Sequence, residues 1–342
     1  MTTIYVGAAR IGAGSAGGVF RRALDGDVWE SSLQEDVHAI TVHPQDPSVV
    51  YAAARSGPYR STDSGAHWER LGFPAEGPEV WSIAVHPEDH GTLFAGASPT
   101  GVWRSSDGGD TWARLPAAAQ PERVKMEFSC RVMRLAINPG RPDEIFAALE
   151  VGGAMRSLDS GEHWEDCCAG LLKLAERPQL KSMIQSDTDT EGMLDAHALC
   201  VSPARPGAVF LAVRMGLFLS ADRGNGWEDM EVGRFSPLTY ARDVRVSPQE
   251  PRVLYACLSP ASRSRDGSLY RSDDLGDTWA RFDRGIKAES TMMALALHPS
   301  DPAQVHCVSR SGQVFSTCDG GNSWQESRLP AGVQDVYAIA CS

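Results

Sequence analysis

Short apolar runs recur along the chain, each broken by a Pro-rich polar turn. "VHAITVHPQDPSVVYAAA" (37–54), "VWSIAVHPEDHGTLFAGA" (80–97) and "VMRLAINPGRPDEIFAAL" (132–149) share this pattern. Further copies begin at Ala196, Ala241 and Met292. Each predicts a strand, a turn and a second strand. A helical spacing of apolar residues is found instead in "LLKLAER" and "LKSMIQ", inside the stretch 165–195.

A second unit follows each strand pair. Boxes of the form S-x-D-x-G-x-x-W end at Trp68, Trp112, Trp164, Trp227, Trp279 and Trp324, with Thr317 in place of Ser in the last. A seventh, degenerate copy, "GVFRRALDGDVW" (18–29), keeps Gly26 and Trp29 but has lost the Ser and the Asp. Each box contributes two more strands around a tight turn. Four strands per repeat is the signature of a propeller blade. The N-terminal "TIYVGAA" reads as a second strand, and "VYAIACS" (336–342) as a lone first strand. One end supplies what the other lacks, so that no strand edge is left unpaired. The expectation is all-β: a single domain over 1–342, a seven-bladed propeller with four antiparallel strands per blade. The C-terminal first strand joins three N-terminal strands, and 165–195 forms a lid-like insertion.

The boxes resemble the Asp-box, or BNR, repeats of sialidases, some glucanases and sortilin-type receptors. The resemblance spans nearly the whole chain and implies a propeller of the sialidase or glycosyl-hydrolase type. It falls short of a sialidase site: the R-I-P motif is absent and the blade count is seven rather than six. Within the box, Asp and Ser suit hydrogen bonds to a turn's backbone, Gly suits a left-handed residue, and Trp suits packing between blades. One carboxylate per turn is too few for calcium, so neither a metal nor a cofactor is expected.

Net charge is −12 with no charged block, which argues against a nucleic-acid partner. No apolar run reaches the length of a membrane helix. The start "MTTIYVGAARIGAG" lacks the pattern of a secretory signal. Eight cysteines, mostly within apolar strands, read as buried reduced thiols of a cytoplasmic protein. The oligomeric state has no sequence signal.

Strand parity sorts the loops. The Pro turns and the boxes share one face and are uniform. The opposite face carries the variable loops 8–17, 113–131, 165–195 and 258–267, and variable loops on a rigid scaffold are where function concentrates. First strands should line a central channel. Their common register is His38, Trp81, Met133, His197, Arg242, Met293 and Tyr337, preceded two residues earlier by Asp36, Glu79, Arg131, Asp195, Tyr240, Thr291 and Asp335. Arg134 and Asp243 follow one residue later. The adjoining loops present Arg10, Arg55, Glu150, Arg214, Arg263, Arg265 and Arg310. Arginines gathered on one face of an acidic protein suggest an anionic small molecule or sugar.

The candidate catalytic residues are His38, His197, Tyr337, Asp195 and Asp243. The candidate binding residues are Arg55, Trp81, Arg134, Arg214, Tyr240, Arg242 and Glu150. The D-x-H spacing of Asp36/His38 and Asp195/His197 puts a carboxylate on the same side of the strand as the imidazole. Three functions fit. A glycosyl hydrolase would draw two carboxylates from Asp36, Glu79, Glu150, Asp195, Asp243, Glu289 and Asp335. A lyase or isomerase acting on a uronate-like anion would pair a His or Tyr base with Arg242. A non-catalytic binding scaffold would need neither.

Overall fold

A computed structural model describes residues 2–10, 17–74, 76–116 and 121–342. The expected functional loops 8–17 and 113–131 lie partly outside the described residues. Seven four-stranded antiparallel sheets form the ring, in agreement with the seven-blade expectation. The closing blade takes its innermost strand, Val336–Cys341, from the C-terminal end and pairs it with Thr3–Ala8, matching Val6 to Ile339 and Ile4 to Cys341. The innermost strands of the other blades are Val37–Val42, Glu79–Val85, Arg131–Asn138, Ala196–Val201, Tyr240–Val246 and Met292–Leu297. Each touches the innermost strand of its neighbours, so together they wall the channel.

The apolar core is divided among the blade interfaces. One cluster joins Tyr5 and Val19 to Val37, Val50 and Ala52 across the seam between the closing blade and the next. Another joins Phe94 and Val102 to Val132 and Ile145. Alternation along each strand puts one apolar row on each neighbour, which is why the strands read as nearly continuous apolar runs.

The boxes are turns with a fixed hydrogen-bond pattern. Ser61 Oγ donates to Asp63 Oδ1 at 2.8 Å and accepts from Gly65 N at 2.8 Å. Asp63 Oδ1 accepts from His67 N, and Trp68 Nε1 donates to the Gly65 carbonyl. The residue before the Gly is also left-handed, Ser64 at φ 58° and Leu275 at φ 61°. That second left-handed position has no fixed residue type in the sequence. The carboxylate oxygens are occupied by the turn itself, so the box is structural.

An arginine ahead of the box clamps neighbouring blades. Arg21, Arg60, Arg104 and Arg156 donate from Nη1 to the carbonyls of Ser64, Gly108, Ser160 and Arg223, each the left-handed residue of the next box. In the degenerate copy Arg22 stands where the Ser would be, and donates to the Gly26 carbonyl at 3.0 Å.

The insertion differs from the lid expected of it. Helix α1 (Ala169–Leu174) and the single turn α2 (Glu191–Leu194) carry Leu171, Leu174, Met193 and Leu194. These side chains are buried with Phe146, Ala154, Leu211, Phe218 and Trp227 of the two blades that flank the insertion in sequence. The apolar spacing of "LLKLAER" is helical, with its apolar face sealing an interface between blades, whereas "LKSMIQ" is not helical past Leu180 and leaves Met183 and Ile184 exposed. Asp195, at the end of the stretch, stands at the channel mouth, and none of its helical residues lines the cavity.

Candidate functional site

The seven register residues of the innermost strands share one structural feature. His38, Trp81, Met133, His197, Arg242, Met293 and Tyr337 each sit at a break in strand register, unpaired while their neighbours pair. A β-bulge re-aims the side chain of the extra residue. Here seven bulges bring one side chain from each blade toward the channel. The first six of these residues are no more than 9% exposed, and Tyr337 is half-buried. The ring of bulges therefore narrows the channel at the variable-loop face.

The bulge residues hold one another. The His38 ring stacks on Trp81 with centroids 3.7 Å apart and planes 5° apart, and Tyr337 meets both rings edge-on. His38 Nδ1 donates to the Val80 carbonyl at 2.9 Å, and His197 Nδ1 to the Ala241 carbonyl at 2.7 Å. Val80 and Ala241 each precede the bulge of the next blade, so the two histidines perform the same stapling role on different sides of the ring. Burial pushes the His38 imidazole down to about 4 and keeps it neutral. His197 Nε2 lies 3.3 Å from the Tyr240 hydroxyl and 3.4 Å from Asp195 Oδ1. Burial raises the Tyr240 phenol to about 12, so it remains a hydrogen-bond donor. Burial opposes ionisation of Asp195, but the facing His197 and Arg214 outweigh it and hold that carboxyl well below the usual range.

Around this ring lies a belt of ion pairs. Arg55 reaches Glu79 at 3.0 Å and Asp36 at 3.9 Å; Arg131 meets Glu150 at 2.6 Å; Arg214 meets Asp195 at 2.9 Å; Arg310 meets Asp335 at 2.7 Å. In two blades the partners are the residue two before the bulge and the first residue after the second strand, and Arg310 takes the same place one blade away from Asp335. The sign is reversed in the Arg131–Glu150 blade. Arg131 also lies 4.2 Å above the Trp81 ring.

These placements alter several expectations. Arg55, Arg214 and Arg310 each lie within ion-pair distance of a carboxylate. Glu150 likewise faces Arg131. Asp243, a catalytic candidate from the sequence, has no exposed surface. It accepts from Arg134 Nη2 at 3.3 Å, Arg245 Nε at 3.1 Å and the Leu295 N–H at 3.2 Å. It is an internal anchor and presents no oxygen to a substrate. Asp36 and His38 lie near each other, but the imidazole bonds to Val80 rather than to the carboxylate. His38 and His197 are brought to one channel without touching. Tyr240, Arg242 and His197 are brought together on two adjacent strands.

Beneath the bulges the channel widens into a cavity of about 440 Å³. Its lining includes Arg134, Arg242 and Arg245 among Ile, Leu and Met side chains, and it runs to Pro44, Pro248 and Pro299. Those exposed prolines belong to the uniform turns, so the cavity reaches the face opposite the variable loops. Arg245 was not singled out in the sequence. Its signal was there: a charged residue in the interior of a strand that walls a channel.

No family model matches the chain. The chain is similar to a xyloglucanase of Paenibacillus sp., 32% identical over 302 residues, covering 74% of this chain and 27% of that protein. It is similar also to the xyloglucanase Xgh74A of Acetivibrio thermocellus, 32% identical over 291 residues, covering 82% of this chain and 28% of that protein. The chain thus spans little more than a quarter of the length of these curated relatives. Among solved structures, the GH74 xyloglucanase from Xanthomonas campestris superposes with a TM-score of 0.60 at 19% identity, over 95% of this chain and 51% of that one. A structure of YCF48 bound to D1 peptide superposes with a TM-score of 0.57 at 16% identity, over 92% of this chain and 87% of that one. The chain is a seven-bladed propeller resembling GH74 xyloglucanases.

Proposed function

We propose that this chain is a glycosyl-hydrolase-like propeller whose variable-loop face binds a neutral, polyhydroxylated carbohydrate. The observation that carries the reading is the belt of arginine–carboxylate pairs around the mouth, taken with the similarity to xyloglucanases. A matched pair has no net charge to offer an anion, yet it keeps donor N–H groups and acceptor oxygens at fixed spacing. Sugar hydroxyls, each donor and acceptor, suit such a surface. Half-buried Tyr337, edge-on to Trp81, supplies an aromatic surface beside the belt.

The reading is one of binding. Glycoside cleavage needs a carboxylic acid in a setting that keeps its proton, commonly apolar and unpaired. Each of the seven mouth carboxylates considered from the sequence lies within ion-pair distance of a guanidinium. The lyase alternative asks His197 or Tyr240 to act as a base. Both are 4% exposed, and the His197 ring nitrogens already face protein groups.

Calorimetric titration with xyloglucan oligosaccharides tests this. Saturable binding is expected, weakened about tenfold, or about 1.4 kcal/mol, by Tyr337→Ala or Arg55→Ala. A reducing-sugar assay on the same oligosaccharides is expected to show no release. Absence of binding to every neutral glycan tried, or binding indifferent to both substitutions, would overturn the proposal.

A further inference from the structure

The cavity inside the ring carries more guanidinium groups than directly paired carboxylates. Arg134, Arg242 and Arg245 all line it. The first and last share one carboxylate, Asp243, whose two oxygens are engaged by them and by the N–H groups of Val244 and Leu295. Arg242 is 9% exposed and, among the described residues, has neither an ion pair nor a hydrogen bond; its guanidinium lies 5.7 Å from the Tyr337 ring centre. Three guanidinium groups thus line one cavity in which Asp243 is the carboxylate directly paired with them, while Asp195 and Glu150 at the mouth act on Arg242 only at longer range. The other arginines near the mouth do not join this group, since Arg131 and Arg214 are matched to Glu150 and Asp195.

A buried, unpaired cation is costly, and proteins rarely keep one without a counter-ion. Arg134 registers the crowding: burial, and then the like charge of Arg245, pull its guanidinium down to about 10. The remaining lining mixes apolar side chains such as Ile40, Ile83, Leu135 and Ile339 with Thr41, Ser82, His38, His197 and Tyr337. A volume of about 440 Å³ falls at the small end of the range for sites that take small organic molecules.

From this geometry we infer that the central channel is a binding site for a small doubly charged oxyanion, such as phosphate or a compact phosphate- or carboxylate-bearing metabolite, held by Arg242, Arg134 and Arg245. Guanidinium groups meet such oxygens with paired hydrogen bonds. The ligand reaches the site from the turn face, past Pro44, Pro248 and Pro299, rather than through the bulge collar. Tyr337 borders both this site and the rim, but the inference does not depend on the carbohydrate reading.

Calorimetry on the whole chain tests the inference, with inorganic phosphate, a sugar phosphate, succinate and acetate as probes at fixed ionic strength. Saturable binding of at least one dianion is expected, with acetate at least tenfold weaker. Arg242→Met is expected to weaken dianion binding tenfold or more, while Arg242→Lys retains part of it and Arg234→Ala, exposed and paired with Glu231 away from the cavity, leaves it unchanged. If Arg242→Met does not fold, Arg245→Met read against Arg245→Lys serves the same purpose. Tighter binding of the sugar phosphate than of inorganic phosphate identifies the ligand as an ester, equal binding identifies it as the free ion, and a preference for succinate identifies a dicarboxylate; each of these upholds the site. No saturable binding of any dianion, or binding unchanged by loss of the Arg242 charge, would overturn it, whatever the outcome of the glycan titrations.

Discussion

Single residues in this chain fall into two kinds, those that repeat and those that do not. The box aspartates belong to the first. The Thr111 hydroxyl and N–H hold the Asp107 carboxyl down to about 2. A carboxyl depressed in the folded state adds stability above its unfolded value, near 3.9, and loses it as pH falls toward 2. Asp107→Asn is therefore expected to lower the urea midpoint at pH 7, with the deficit shrinking between about pH 4 and pH 2. His38 behaves in the opposite chemical sense but with the same pH direction. Its imidazole titrates at about 4 in the fold against an ordinary 6.5. The unfolded chain takes up the proton first, so stability is full above 6.5 and declines as pH falls to 4. The full effect is about 3 kcal/mol. His38→Gln, which keeps a donor for Val80, is expected to flatten the fall of the urea midpoint over that range. His306, buried and also held near 4, leaves part of the slope in place. The box letters were legible in the sequence because a turn imposes them on each repeat. The ion-pair belt was half legible. Asp36 and Arg55, Arg131 and Glu150, Asp195 and Arg214 stood in two aligned columns of opposite sign, but only the cross-strand register shows that the columns face each other.

At the scale of elements, the bulges and the insertion matter most. The aligned register of the innermost strands named the seven residues that the bulges turn inward. Nothing in the sequence shows a bulge, because the extra residue has no fixed type: His, Trp, Met, Arg and Tyr all occupy it. The insertion shows the limit of periodicity as a guide. Apolar spacing in "LLKLAER" established a helix, but not the surface that the helix covers. The burial of Leu171 against Trp227 and Phe218 answers that. Leu171→Ala should destabilise by about 2–5 kcal/mol through the cavity it leaves. The dianion affinity should hold in the folded fraction, because neither insertion helix lines the cavity. A loss of affinity without a loss of stability would mean that the insertion acts on the site after all.

The whole molecule is a ring with one seam. Residues 336–341 supply the inner strand of the closing blade, and their removal would leave Thr3–Ala8 unpaired on its inner side. Deleting residues 336–342 is expected to abolish cooperative unfolding and to expose Ile4, Val6, Ala294 and Ala296, read as dye binding and aggregation in gel filtration. Blade number and closure followed from counting strands, since every blade obeys the same grammar. Which interior charges lack partners did not follow, since that depends on distances across the ring between residues far apart in sequence.

The seam also sets how the ring responds to force. Thr3 and Ser342 are hydrogen-bonded neighbours at the same edge of an antiparallel pair. Tension applied across these two residues loads the ladder one rung at a time, peeling Ile4 from Cys341 before Val6 from Ile339. Such a seam unzips rather than shears. A pull on the termini opens the ring at its one non-sequential joint, while the clamps between the other blades carry none of the load until it has parted.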